Sequence, residues 1–199
     1  MSHVEAVRTP DACFADLPDC PWTPRYLDNL EGYEGLRMAR IDEGPSDAEH
    51  VFLCLHGQPA WSFLYRHMIP EFLMVGARVV APDLFGFGRS DKPIDDDVYS
   101  FTFHRLSLIA LIQALDLRNI TLVVQDWGGL LGLTIPPDMP DRFNRLLVMD
   151  TVLGLGGGTT EGFEVWRKFH GEHPDYDMAT LFKKYVPGMS DAVAAAYAA

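Results

Sequence analysis

Short apolar runs, each too brief for a helix, recur between longer stretches with helical spacing, and this alternation narrows the architectures open to the chain. Val51–Leu55 is five consecutive apolar residues, followed by His56-Gly57, as expected for a strand buried on both faces. Residues 78–81, 121–124 and 146–149 are further such runs, rich in Val and Leu. Between them the spacing predicts helices. In 101–117 the residues Leu108, Leu111, Ile112 and Leu115 fall at i, i+3, i+4 and i+7, forming one apolar stripe. Residues 61–75 and 129–135 are predicted helices as well, the second stopped by Pro136-Pro137. Strands alternating with helices give an α/β protein with a parallel sheet covered on both faces.

Composition agrees with a folded core and excludes several roles. Of the 199 residues 48% are apolar, enough to exclude disorder for most of the chain. A net charge of −12 argues against nucleic acid and anionic membrane as partners, since both attract a basic surface. No apolar run approaches the ~18 residues of a membrane span. The start, Met-Ser-His-Val-Glu, lacks the basic and apolar regions of a signal peptide. Three cysteines (Cys13, Cys20, Cys54) form no CxxC pair, and Cys54 reads as a small buried hydrophobe. A cytoplasmic protein is expected.

The texture changes after Asp150. Residues 154–158 are too glycine-rich for a strand or helix, and helical patterns follow at 162–170 and 179–185. Ser190 is a natural N-cap for an alanine-rich helix over 190–199. Residues 1–152 are therefore expected to form the N-terminal part of the sheet-and-helix core. Residues 153–199 are expected to begin a helical cap.

Three loops follow strands, at the sheet end where ligands bind in such folds. They are His56-Gly-Gln-Pro59, Asp83-Leu-Phe-Gly-Phe-Gly-Arg-Ser-Asp-Lys-Pro93 and Val124-Gln-Asp-Trp-Gly-Gly129. In the third, Asp126 sits between a buried strand and a helix start, and small residues at 128 and 129 permit a tight turn. A carboxylate presented there is suited to displacement at an alkyl carbon, which leaves a covalent ester. Nearby helix-start N–H groups stabilise the oxyanion when that ester is hydrolysed. Alternatively, Asp126 is only an N-cap.

Together, His56-Gly57-Gln58-Pro59-Ala60-Trp61-Ser62, Asp83 to Pro93 and Gln125-Asp126-Trp127-Gly128-Gly129 resemble the haloalkane dehalogenases of the α/β-hydrolase fold. The resemblance implies that Asp126 displaces halide from a haloalkane and that water then cleaves the alkyl ester, with no cofactor or metal. It implies an oxyanion hole made by the N–H groups of Gln58 and Trp127. It also implies halide binding by Trp127 and, in the subfamily with a cap tryptophan, by Trp166 within Gly162-Phe-Glu-Val-Trp166. Phe163 is then a pocket wall. Gln58 stands where another subfamily carries Asn, which favours the cap-tryptophan arrangement. Asp150 is either the acid that orients the base or a turn or N-cap residue.

The family's base histidine has no match here. His56 belongs to the oxyanion loop, His67 and His104 fall on predicted helices, and His3 and His50 lie in terminal or loop segments. His170 and His173 fall in the cap. The resemblance therefore implies a dehalogenase truncated at its C-terminal side, with closing strands absent, an unpaired sheet edge and poor folding. Its ester is expected to form without turning over. An epoxide hydrolase using Tyr176 or Tyr185 as acid, and a non-catalytic fragment, are the rivals. The pair His170 and His173 lacks a clear third metal ligand. Residues 95–97, all Asp, read as a solvated loop.

Overall fold

The apolar runs become neighbouring strands of one sheet in the computed structural model, which describes residues 4–154, 156, 158–173 and 175–199. His3, together with Leu155 and Gly157 of the glycine-rich run, lies outside the described residues. In chain order the strands are β1 (Ala6–Val7), β2 (Arg25–Leu27), β3 (Met38–Glu43), β4 (Val51–Leu55), β5 (Arg78–Pro82), β6 (Lys92–Pro93), β7 (Ile120–Gln125) and β8 (Phe143–Met149). The α-helices are α1 (Ile69–Met74), α2 (Phe101–Ala114), α3 (Trp127–Gly132), α4 (Glu161–Glu172), α5 (Met178–Tyr185) and α6 (Asp191–Tyr197).

The main sheet runs β2-β3-β5-β4-β7-β8, with β5, β4, β7 and β8 parallel. The sheet is thus mostly parallel, but β2 and β3 join it antiparallel. A separate antiparallel ribbon pairs β1 with β6. β3 carries no sequence signal of a buried strand, because Arg40 and Asp42 interrupt its apolar residues. Both are nonetheless buried. Asp42 accepts from Arg78 Nε at 2.8 Å and Nη2 at 2.9 Å, and from Arg40 Nε at 3.0 Å. These pairings hold its carboxyl below the usual aspartate range against the opposing effect of burial.

Two further expectations change. Residues 61–75 are not one helix but a 3₁₀ turn at Ser62–Tyr65 followed by α1. Pro70 is the cause, since its ring clashes with the preceding turn and it donates no N–H, so it fits only a helix start. His67 accordingly sits in an exposed turn rather than on a helix. The run at 146–149 is a strand but not a buried one. Among the described residues β8 pairs only with β7, and Leu146 and Val148 are 54% and 49% exposed.

The core lies on both faces of the sheet. On one face Leu108, Leu111 and Ile112 of α2 pack against Leu53, Leu122 and Val124. On the other, Trp61, Phe63 and Tyr65 gather around Ile41, Cys54 and Val79. α5 and α6 pack on each other, and α6 docks onto this second face, where Trp61 Nε1 donates to the Ala196 carbonyl at 3.0 Å. Ser190 caps α6 by accepting from Val193 N. α4 buries no residue.

Candidate active site

β7 delivers the chain to the top of the sheet, and the next residue, Asp126, takes φ 51° and ψ −125° before α3 begins at Trp127. Such a backbone is strained for a residue with a Cβ and persists only where its surroundings dictate it. They do so here. The Asp126 N–H donates to the Asp150 carbonyl at 3.0 Å, at the tip of β8. The Asp126 carbonyl accepts from Gly129 N at 2.9 Å, Leu130 N at 3.2 Å and the Thr151 hydroxyl at 2.7 Å. The positive φ lies on Asp126 itself, not on the glycines after it. Those serve close packing: a Cβ on Gly129 would overlap the Thr151 side chain.

The Asp126 side chain makes no capping bond to α3. Instead its Oδ1 accepts the Gln58 backbone N–H at 2.9 Å, from the loop after β4. Gly57 makes this possible, since a Cβ there would overlap the Asp126 carboxylate. Trp127 is the first residue of α3, where backbone N–H groups have no acceptor within the helix. Gln58 N–H thus meets the carboxylate from the loop after β4, while Trp127 adjoins Asp126 at the start of α3.

His56 props this loop from below. It is fully buried, its Nδ1 donates to the Gly57 carbonyl at 2.8 Å, and its Nε2 accepts from Leu84 N at 3.0 Å. Burial holds its pKa below the usual histidine value, as a ring whose Nε2 must remain an acceptor requires.

Two cavities open beside Gln58. One, of about 200 Å³, is lined by Trp127, Leu84, Phe87, Tyr99 and His104. Burial and the neighbouring His56 push the His104 pKa down to about 4, so this cavity has no cationic wall at neutral pH. The other, about 420 Å³, lies between core and α4 and is lined by Gln58, Phe87, Lys92, Trp166, His170 and Tyr176. Trp127 and Trp166 therefore border different cavities that share Gln58 and Phe87. Phe163 stacks with Trp166 at 6.1 Å between ring centroids and lines neither. Asp150 is exposed with φ 33° and meets Asp126 through its backbone.

Sequence reasoning missed Thr151 and the cavity position of His104. A Thr two residues after the strand beside the elbow was the available signal for the first. His104 lies on the helix that covers the sheet next to the Asp126 loop, which alone points to no role.

The family profile described as alpha/beta hydrolase fold matches residues 50–189. A haloalkane dehalogenase of Psychrobacter cryohalolentis is 46% identical over 198 residues, covering 98% of this chain and 65% of that protein. Haloalkane dehalogenase 1 of Mycobacterium tuberculosis is 45% identical, covering 83% of this chain and 56% of its own. Among solved structures, the tetrameric haloalkane dehalogenase DpaA from Paraglaciecola agarilytica superimposes with TM-score 0.95 at 55% identity, covering 98% of this chain and 65% of that one. The chain thus spans at most about 65% of the length of these relatives. The strained aspartate between strand and helix, the sheet that carries it and these similarities agree, and the chain belongs to the α/β-hydrolase fold family.

Proposed function

We propose that this chain carries the ester-forming machinery of a haloalkane dehalogenase, with residues 1–152 as core and 153–199 as the start of a cap. The observation that carries the reading is the Asp126 carboxylate, held by Gln58 N–H at 2.9 Å on a strained turn and not spent on capping. An oxygen of Asp126 attacks the carbon bearing the halogen. The C–O bond forms as the C–halogen bond breaks, and halide leaves with the bonding pair. The indole N–H groups of Trp127 and Trp166 are donors on apolar bodies, suited to a leaving halide, and Phe163 supports Trp166 through their stacked rings.

Hydrolysis of the ester needs water at the Asp126 carboxyl carbon, stabilisation of the resulting oxyanion by Gln58 and Trp127 N–H, and a base to take the water's proton. Asp150 is proposed to orient that base. Neither the buried His56 nor the half-buried His104 suits the role, since His56 uses both ring nitrogens in the fold and burial pushes His104 down to about 4. A haloalkane as substrate and halide as product follow from this reading, and the relatives' name supports both. A cytoplasmic setting is part of the proposal, supported by three cysteines that are all free.

The test is intact-protein mass after incubation with a short bromoalkane. One added alkyl group on the wild-type chain, and none on Asp126→Ala, is the expected result. No adduct on a chain with a cooperative thermal transition overturns the reading in favour of a non-catalytic role. Epoxide opening is the second reading, because Tyr176 shares the cavity of Trp166, whereas Tyr185 is 67% exposed. Adduct formation with an epoxide but not a bromoalkane would establish it.

A further inference from the structure

We infer that Thr151 is a positioning residue for Asp126, locking the strained turn in the orientation from which the carboxylate attacks; this rests on the reading of Asp126 as the nucleophile. Thr151 Oγ1 donates to the Asp126 carbonyl at 2.7 Å, from the residue that follows the tip of β8. The adjoining residue, Asp150, accepts the Asp126 N–H at 3.0 Å. Both backbone groups of Asp126 are therefore tied to one dipeptide just beyond the neighbouring strand, while its side chain is tied to Gln58 on the other side.

The fit is built from both sides. Gly129 lacks the Cβ that would displace the Thr151 side chain, so the hydroxyl reaches the carbonyl across the first turn of α3. The bond is not needed to satisfy that carbonyl, which already accepts from Gly129 N and Leu130 N. Removing the hydroxyl thus leaves no orphaned polar group in the backbone and has little claim on stability. What it removes is a constraint on the Asp126 peptide plane. Rotation of that plane swings the carboxylate away from the line of attack, and small misplacements of a reacting group slow a displacement steeply.

The experiment uses the full chain with Thr151→Val, which keeps the shape and removes the hydroxyl, and Thr151→Ser, which keeps the hydroxyl. Alkylation of Asp126 by a short bromoalkane is followed by intact mass across bromoalkane concentrations. Thr151→Val is expected to lower the limiting alkylation rate about tenfold with an unchanged half-saturating concentration, and Thr151→Ser to recover it to within about twofold. Peptide-level hydrogen exchange over 124–132 is measured on the same proteins, with faster exchange expected in Thr151→Val and wild-type protection in Thr151→Ser. A wild-type rate in Thr151→Val, or failure of Thr151→Ser to recover it, overturns the inference. Absence of alkylation in the wild type refutes the nucleophile reading instead. In that case the exchange data still decide whether Thr151 holds the turn, and unchanged protection in Thr151→Val sinks it.

Discussion

Two glycines of the site owe their identity to the side chains lying against them. Gly57 leaves room for the Asp126 carboxylate and Gly129 for Thr151. In the sequence Gly129 looked like a residue that lets the chain turn, and Gly57 only followed a strand. The turn in fact falls on Asp126, and the glycines are explained only by residues 69 and 22 positions away, which no local pattern discloses. Asp126 itself was legible, because a carboxylate between an apolar run and Gly-Gly is a local feature. The histidines behave in the same divided way. His56 was readable as part of its loop, whereas the cavity position of His104 depends on how α2 meets the β4 loop. His104 also sets a pH dependence. Its folded pKa of about 4 lies below the ordinary 6.5, so between these values the unfolded chain binds more protons and stability falls as pH drops. Above about 6.5 both states are neutral and the full stability is present, while on the way down the slope approaches about 1.4 kcal/mol per pH unit. His56, depressed in the same direction, adds to it. The loss in urea midpoint between pH 7 and pH 5 is expected to be smaller in His104→Phe than in the wild type.

Among the elements, apolar strands announce themselves and charged ones do not. β4, β5 and β7 are visible as runs, while β3 hides behind Arg40 and Asp42. Their burial is tolerable because the two guanidinium groups of Arg40 and Arg78 share one carboxylate. Breaking such a group leaves charge uncompensated inside the sheet, which costs more than the group contributes when intact. Asp42→Ala is therefore expected to lower stability by about 3–5 kcal/mol, read as a shift in the denaturant midpoint. Helix existence was likewise legible from periodicity. Helix extent at 61–75 required weighing Pro70 against the apolar pattern around it, and the proline prevails because its lost N–H and ring clash are unconditional.

At the scale of the molecule, the change of texture after Asp150 held no sign of how the last helices and the sheet meet. They meet at α6. Tyr197 lies against Phe182 and Phe63, with ring centroids 4.2 and 5.1 Å away, next to the bond between Trp61 and the Ala196 carbonyl. An alanine-rich helix is an unremarkable surface element unless its one aromatic residue finds a slot, and that slot is assembled from the 3₁₀ turn at Ser62–Tyr65. Tyr197→Ala is expected to cost about 3 kcal/mol and to lower the thermal midpoint, with proteolytic cleavage between 186 and 199 appearing first. α4 holds no buried residue, so the residues after Asp150 meet this face of the sheet through α6 together with Phe182 and Met189.

The elbow is strapped to strands distant in the chain: Gln58 is 68 residues before Asp126, and Thr151 is 25 after it. Neither strap exists until β4, β7 and β8 have zipped side by side, a pairing whose loop-closure entropy makes it slow. If Asp126 is the nucleophile proposed above, its competence is thus a late property of the folding chain, acquired after its helices and after general collapse. A half-assembled sheet would hold a relaxed, unaimed Asp126, and the appearance of a reactive carboxylate during refolding would time the moment at which the sheet closes over its centre.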